Sequence, residues 1–155
     1  MFKKLVYILP LILLTSCSSW VYKPTPKEHL SKERIALAKS FVEEFIHKCE
    51  NRDYTPIVGF NLDINLNASL QKEEEFKKTC EKHVAKYGKV VVGDYHSAIT
   101  PNTPRDYADF IVFNMTSEKK DSLKYMAVML YRDKDYIAGF TSQKIPAPKL
   151  KLKLK

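Results

Sequence analysis

The sequence has few glycines, few cysteines and no long apolar run. Four glycines among 155 residues exclude collagen-like and glycine-rich low-complexity architectures. No phosphate-binding loop, dinucleotide fingerprint, serine nucleophile elbow or zinc-protease motif occurs. The apolar run at residues 5–14 is about half of the length that spans a bilayer as a helix. What remains is 45% hydrophobic and 28% charged, a balance typical of one globular domain.

Acidic residues are missing from both ends of the chain. The formal net charge is +8, but Lys3, Lys4 and five lysines within residues 144–155 account for nearly all of it. Without these seven lysines, the chain has 19 basic and 18 acidic residues. The body therefore lacks the basic, aromatic-interleaved patch of a nucleic-acid-binding protein, and no nucleic acid is expected as a partner.

The amino end has the pattern of a targeting segment. Lys3 and Lys4 precede the short apolar core, so residues 1–16 are expected to be a signal peptide. The sequence Leu14-Thr15-Ser16-Cys17 resembles the lipobox of bacterial lipoproteins, and this resemblance implies a palmitate-type acyl anchor on Cys17. A secretory signal with a coincidental cysteine is the alternative. By resemblance to lipoproteins of two-membrane bacteria, Ser18 implies an outer-membrane location, with the domain facing the periplasm or displayed outside.

Residues 17–30 are interpreted as the lipidated terminus and a tether. Pro24 and Pro26 favour an extended chain. Trp20 and Tyr22 either sit at the lipid interface or, in the case of Trp20, pack on the domain. The domain itself is assigned to residues 31–143, and a basic tail to residues 144–155.

The first half of the domain has helical periodicity. Ser31 is a suitable N-cap for a helix that ends near Asn51. Residues 60–66 alternate between apolar and polar side chains and predict a strand, and a second helix is expected over residues 69–87, with Gly88 after its end. The apolar stripes of the two helices contain Ile35, Ala38, Phe41, Val42, Phe45 and Cys49, and Phe76, Cys80, Val84 and Tyr87.

The second half has strand periodicity. Short polar connectors join the segments, and they favour antiparallel hairpins because parallel crossovers need a dozen residues or more. Helices followed by a meander of about four strands predict an α+β fold with two or three helices packed on a curved sheet. The four predicted strands are residues 90–99, 107–116, 123–131 and 136–142.

Both faces of the predicted central strands are apolar. Ile111 and Phe113 oppose Phe110 and Val112 along one strand, and the next strand shows the same pattern. Two helices cover only one face of such a sheet. The other face is expected to need a cover: a second copy of the chain, another envelope protein or an enclosed ligand.

This order of elements resembles the nuclear transport factor 2-like group of cone-shaped, cystatin-like domains, over residues 31–143. The residues that carry the resemblance are Tyr87-Gly88-Lys89-Val90, which enters the sheet, and Asp135-Tyr136-Ile137-Ala138-Gly139-Phe140, which closes it. Small periplasmic lipoproteins of unknown function in this group close similarly, commonly with tryptophan at the position of Tyr136. The resemblance implies a strongly curved sheet and, in many members, a dimer formed through that sheet.

Two cysteines remain in the domain after Cys17. Cys49 and Cys80 both fall on apolar stripes, and the periplasm is oxidising, so a disulfide between them is predicted, with two buried thiols as the alternative. Zinc binding by these cysteines with His47 and His83 is disfavoured, because residues two apart on a helix point away from each other. No metal or cofactor is expected.

Polar residues on the predicted strands are candidates for a ligand pocket. A carboxylate near a histidine is able to act as a general base, and the ketosteroid isomerases, which are cone-shaped relatives, use an acid and a tyrosine inside the cone. Hydrogen-bonded or exposed polar side chains are the alternative, and no catalytic residue is assigned. The pocket candidates are Asp94, His96, Tyr107, Asp109 and Tyr125.

The tail alternates leucine and lysine. Residues 150–155 put leucines on one side of an extended chain and lysines on the other. Contact with an anionic lipid is one interpretation, and a solvated end is the other. Taken together, the sequence predicts an outer-membrane-anchored periplasmic lipoprotein with a non-catalytic binding domain. The alternatives are a structural subunit of an envelope assembly and a small-molecule enzyme or binder.

Overall fold

The computed structural model describes residues 22–101, 108–119, 123–132 and 134–143. The predicted signal peptide, Cys17, Trp20, Tyr107 and the basic tail lie outside these ranges. Within them, three α-helices pack on a six-stranded sheet, so the α+β prediction is confirmed. The helices are α1 (Lys32–Glu50), α2 (Ile64–Leu70) and α3 (Glu73–Tyr87). The strands are β1 (Tyr22–Pro24), β2 (Asn61–Leu62), β3 (Val90–Pro101), β4 (Ala108–Ser117), β5 (Tyr125–Tyr131) and β6 (Tyr136–Gln143).

Helix α1 begins where its capping residue predicts. The Ser31 hydroxyl accepts a hydrogen bond from the Arg34 amide at 3.1 Å, which satisfies one of the free donors of the first turn. The predicted apolar stripe is buried against the sheet, with Phe41 fully enclosed and Phe45 1% exposed. Both rings contact Phe140 of β6, at centroid distances of 5.5 and 4.6 Å. This face of the sheet is called the helix side below, and the opposite face the outward face.

The strand order is β1-β3-β4-β5-β6-β2. The hairpins β3–β4, β4–β5 and β5–β6 are antiparallel as predicted, whereas β2 pairs in parallel with β6. The expectation of about four antiparallel strands is therefore wrong in number and in the orientation of one strand. The two additional strands have three and two residues, and segments so short leave no readable alternation in a sequence.

Part of the expected tether belongs to the domain. Tyr22 and Pro24 pair with β3, and the Thr25 amide donates to the Ala98 carbonyl at 3.0 Å. A proline is tolerated in β1 because the strand lies at the sheet edge, where no partner needs its missing amide.

The strand predicted over residues 60–66 is correct only at Asn61 and Leu62, and the last three residues of that range are the start of α2. Pairing stops at Leu62, and the Asp63 carboxylate accepts a hydrogen bond from the Asn65 amide at 3.0 Å to cap α2. The helix predicted over residues 69–87 is in turn two helices, with Gln71 and Lys72 between them. The alternating pattern misleads here because a local aspartate cap satisfies the backbone before a longer ladder forms.

The turn between α3 and β3 requires glycine. Gly88 has φ +68° and ψ −147°, a conformation that other residues rarely adopt. A Cβ at this position would lie 2.7 Å from Oε2 of Glu118. The Glu118 carboxylate accepts a hydrogen bond from the Lys89 amide, so it is held at this site.

We expect Gly88→Ala to lower the free energy of unfolding by about 2–3 kcal/mol, because backbone strain and the collision with Glu118 act together. Urea denaturation followed by circular dichroism measures the change. Gly59→Ala is the matched control, since Gly59 also has a positive φ, +85°, but open space around its Cβ position. Equal losses in the two variants would contradict the contribution of the collision.

Candidate functional site

Of the four pocket candidates that the structure describes, it brings His96 and Tyr125 together and places Asp109 on the opposite face of the sheet. Asp109 lies on the helix side of β4 and is fully buried. His96 and Tyr125 contact each other at 4.7 Å between ring centroids, and both are at least partly exposed. Asp94 is an exposed residue of β3, and Tyr107 lies outside the described residues. A shared pocket of Asp109 with His96 and Tyr125 is therefore not formed.

Asp109 is the centre of a buried ionic network. Its Oδ2 lies 3.1 Å from Nη1 of Arg34, and its Oδ1 lies 3.4 Å from Nη2 of Arg132. The Thr100 hydroxyl donates to Oδ1 at 2.6 Å and lies 3.0 Å from the hydroxyl of Thr25. A carboxylate held by two guanidinium groups and a hydroxyl is well suited to a structural role, and nothing in this contact set leaves it free to accept a substrate proton.

The same network joins distant parts of the chain. Arg34 also donates through Nη1 to the His29 carbonyl and through Nη2 to the Tyr131 carbonyl, the latter at 3.0 Å. It thereby connects the start of α1 to the segment before it and to the end of β5. Arg34 and Arg132 each keep a buried Nε without a hydrogen-bond partner. The arginine pair thus places two positive charges beside one negative charge.

His96 and Tyr125 form a small polar cluster on the outward face. Nδ1 of His96 lies 2.9 Å from the Ser97 hydroxyl. The Asn114 side-chain amide donates to the Asp94 carbonyl at 3.3 Å, so the contact with Asp94 is through its backbone. A register shift between Tyr95 and Ser97 accommodates His96 as an additional residue of β3. No carboxylate among the described residues is hydrogen-bonded to this histidine.

Cys49 and Cys80 form a disulfide, and their Cα atoms are 4.8 Å apart. The predicted pairing is confirmed. The bond joins the end of α1 to the middle of α3, and both residues are at most 3% exposed. It closes a segment of 31 residues that contains β2 and α2.

A groove of about 840 Å³ runs beside the disulfide. Its lining includes both cysteines, Tyr54 and Val84, and its charged residues balance, with three glutamates against two lysines and one arginine. None of the four described pocket candidates lines this groove. The charged residues that line the groove are Glu50, Glu81, Glu118, Arg52, Lys77 and Lys89.

The apolar stripe of α3 predicts that Val84 is buried, but the structure buries its neighbour His83 instead. The two residues are adjacent on α3, but His83 is 9% exposed whereas Val84 is 37% exposed. The imidazole packs edge-on against the rings of Phe45 and Tyr87, and its Nε2 has no hydrogen-bond partner. Burial lowers the pKa of His83 below 6.5; the nearby Glu50 opposes this effect and Lys86 adds to it.

We expect stability to fall as the pH drops below about 6.5, the unfolded pKa of histidine, because the unfolded chain binds a proton that buried His83 resists. Above that pH the histidine is neutral in both states, so its contribution is fully present. Urea midpoints at pH 7.5 and pH 5 measure the effect. His83→Phe should reduce the difference between the two midpoints, and His47→Gln, on the exposed side of α1, should leave it unchanged. An unchanged difference in His83→Phe would contradict this assignment.

Lys48 is a further buried charge that the sequence pattern did not single out. It is 6% exposed, and its Nζ lies 2.7 Å from both Oδ2 of Asp53 and the Thr55 hydroxyl. The hydrogen bond from Lys48, together with Thr55, holds the pKa of Asp53 well below its usual range. This cluster closes the turn after α1.

The helical period of α1 indicates that two charged residues of the helix face the core. Arg34 and Lys48 occur at steps of three or four from Ala38, Phe41 and Phe45, and so share the buried stripe of α1. Asp109 similarly alternates in phase with the helix-side residues of β4. A charged residue at a position that the apolar period assigns to the core predicts a buried ion pair. The pattern does not identify the residue of opposite charge.

The outward face of β4 and β5 carries no charged side chain. Phe110 lies opposite Met129, and Val112 lies opposite Ala127. Phe110 and Met129 are partly exposed, and Tyr22 packs edge-on against Phe110 at 6.0 Å. The remaining outward residues are Ala108, Asn114, Thr116, Tyr125 and Tyr131.

Within the described ranges, no group of three or more histidine, cysteine, aspartate or glutamate side chains is placed to hold a metal ion. None of the helices described there is both long enough and apolar enough to cross a bilayer. Comparison of the chain with protein families, with curated proteins and with solved structures found no match.

Proposed function

We propose that this chain is an outer-membrane-anchored periplasmic lipoprotein, acylated on Cys17, whose domain binds a protein partner through the outward face of its sheet. The anchor rests on the lipobox at Leu14-Thr15-Ser16-Cys17. The binding role rests on the uncharged outward face around Phe110 and Met129. Lysines of the tail add a contact with anionic lipid in this proposal.

The outward face is the observation that carries the binding role. Across β4 and β5, every outward position is apolar, aromatic or an uncharged polar residue. Charged residues are depleted from the centres of protein interfaces, whereas aromatic residues and methionine are enriched there. Val112 and Ala127 at the middle of this face are buried, whereas Phe110 and Met129 beside them are partly exposed and are therefore the side chains that a partner would contact first.

In this proposal, the domain resembles the nuclear transport factor 2-like group. Helices precede a meander in both, and the register shifts along β3 support a bent sheet, since bulges increase local bending and twist. A cone-shaped domain of this type binds through its sheet in many members. The small-molecule alternative has less support, because Asp109 is enclosed by its ionic partners.

Labelling with radioactive palmitate tests the anchor. The intact chain should incorporate the label, and Cys17→Ala should not. Absence of label from the intact chain would overturn the anchor without bearing on the sheet.

Site-specific photo-crosslinking in intact cells tests the outward face. A photoreactive residue at position 110 or 129 should give a discrete adduct, because both side chains are partly exposed on that face. Position 58 is the matched control, since Val58 is an apolar residue that is 75% exposed and lies outside the sheet. The mass of the adduct separates a second copy from a different envelope protein. Equal labelling at all three positions, or none, would overturn the binding role.

A further inference from the structure

The groove beside the disulfide follows α3. Lys77 on this helix and Gly88 just after it both line the groove, and they are eleven positions apart, about 16 Å at a rise of 1.5 Å per residue. The volume of about 840 Å³ falls within the range of ligand sites, roughly 300–1,000 Å³. The groove is therefore long enough for an extended chain of about five residues, at about 3.3 Å each.

Basic residues and an aromatic ring line the groove near the start of α3. Nζ of Lys77 lies 6.0 Å from the centre of the Tyr54 ring. Tyr54 and Arg52 belong to the turn that follows α1, and both line the groove. Two cations beside an aromatic ring are suited to a carboxylate that is attached to an apolar group, since charged hydrogen bonds to a carboxylate are among the strongest.

Arg52 has a backbone conformation that ordinarily favours glycine. Its φ is +56°, and the amide of Asp53 after it donates to the Lys48 carbonyl at 2.9 Å, which closes the end of α1. Glycine is the usual residue at such a position, because a side chain destabilises the left-handed conformation. Residues held in this conformation are common at binding sites, and the side chain of Arg52 lines the groove.

The other end of the groove, at the turn from α3 to β3, contains two fixed carboxylates. Oε1 of Glu50 accepts a hydrogen bond from the Val90 amide at 2.8 Å. Oε2 of Glu118 accepts one from the Lys89 amide at 3.1 Å. The side chain of Lys89 also lines the groove, so this end has one negative charge in excess. Carboxylates that are held in place in this way are suited to an ammonium group.

Between the two ends, the lining of the groove is mainly apolar. It consists of the disulfide between Cys49 and Cys80, together with Val84 and Ala85 of α3. Glu81 is the charged residue of this stretch, one helical turn after the basic end. A ligand with negative charge alone would meet the carboxylates of the groove, and a ligand with positive charge alone would meet its cations. The groove therefore matches a ligand that carries one charge of each sign.

We propose that the groove binds a short extended peptide of about five residues whose two termini are free. The peptide carboxylate contacts Arg52 and Lys77. The peptide ammonium contacts Glu50 and Glu118, and an apolar side chain of the peptide lies on the disulfide. The balance of three glutamates against two lysines and one arginine carries this assignment. The site is separate from the outward face of the sheet, so the inference goes beyond the proposed function without depending on it.

Binding of synthetic pentapeptides to the full chain tests the class of ligand. The probes are three pools of Ala-Ala-X-Ala-Ala in which X varies among apolar residues: one pool with free ends, one with an amidated carboxyl end and one with an acetylated amino end. Ultrafiltration followed by mass spectrometry measures the bound fraction. We expect each blocking group to weaken binding at least tenfold. Absence of binding by the free pool, or equal binding of the free pool and either blocked pool, would overturn the proposal.

Two variants of the full chain test the site. Arg52→Gly should weaken binding of the free pool at least tenfold without lowering the urea midpoint, because its positive φ suits glycine. Glu50→Gln keeps an oxygen for the Val90 amide but removes the charge, so it should weaken binding of the free pool and leave that of the acetylated pool unchanged. Lys82→Ala is the matched control, since Lys82 is an exposed residue of α3 outside the groove lining. Undiminished binding by Arg52→Gly, or an equal loss in Lys82→Ala, would overturn the proposal.

Discussion

Asp109→Asn should lower the free energy of unfolding by about 3–5 kcal/mol, the usual cost of removing one partner from a buried ion pair. The substitution keeps the size of the side chain but removes the negative charge that contacts both Arg34 and Arg132. The two partly buried guanidinium groups then lose the charge of the carboxylate that they share. Urea denaturation monitored by circular dichroism gives the change, provided that the slope of the transition stays constant.

Two further variants test whether the loss in Asp109→Asn comes from the burial of its ion pairs. Glu43→Gln removes an ion pair with Lys39 on the exposed side of α1, at 3.9 Å, and should cost less than about 1 kcal/mol. A triple variant with Arg34→Met, Asp109→Leu and Arg132→Met removes all three charges and should recover much of the loss, because their desolvation cost disappears with them. A small loss for Asp109→Asn, similar to that of Glu43→Gln, would show that the network does not exclude water.

Reduction of the disulfide should lower the free energy of unfolding by about 3.5 kcal/mol, the chain-entropy cost of opening a loop of this length. The loop spans 31 residues between Cys49 and Cys80 and includes β2 and α2. The thermal midpoint and the urea midpoint, with and without dithiothreitol, measure the loss. In a small domain a loss of this size moves the thermal midpoint down by more than about 10 °C.

The control for reduction is the double variant Cys49→Ala and Cys80→Ala. It should have a low midpoint that dithiothreitol does not change further. If the reductant lowers the midpoint of this double variant as much as that of the unchanged chain, the effect does not come from the Cys49–Cys80 bond.

Long periodic segments were predictable from the sequence alone. Helix α1 was identified from its serine cap and its stripe, and the hairpins from β3 to β6 were identified from strand periodicity and short connectors. The disulfide was predicted from two cysteines on apolar stripes together with the expectation of an oxidising compartment, and the structure contains the bond. Each of these features depends on local pattern or on the chemistry of a compartment.

Short and non-local features were not predictable. Strands β1 and β2 form because neighbouring strands offer them a ladder, and neither has enough residues to show a period. His83 and Val84 both lie at steps of three or four from Cys80 and Tyr87, so the helical period permits either residue in the interior, and the packing of α3 encloses His83. Among the described pocket candidates, Asp109 is separated from His96 and Tyr125 because it lies on the opposite face of the sheet.

The sequence by itself determined the α+β order of this protein, the buried stripe of α1 and the two cysteines that form the disulfide, since periodicity and side-chain chemistry are properties of the chain. The tertiary structure decided which charges neutralise Asp109, which short strands pair with β3 and β6, and which of two neighbouring residues on α3 is enclosed. Those outcomes depend on contacts between residues up to about a hundred positions apart, such as Arg34 with Tyr131, whose separation is 97. Contacts of this kind arise from packing in three dimensions, and no local pattern encodes them.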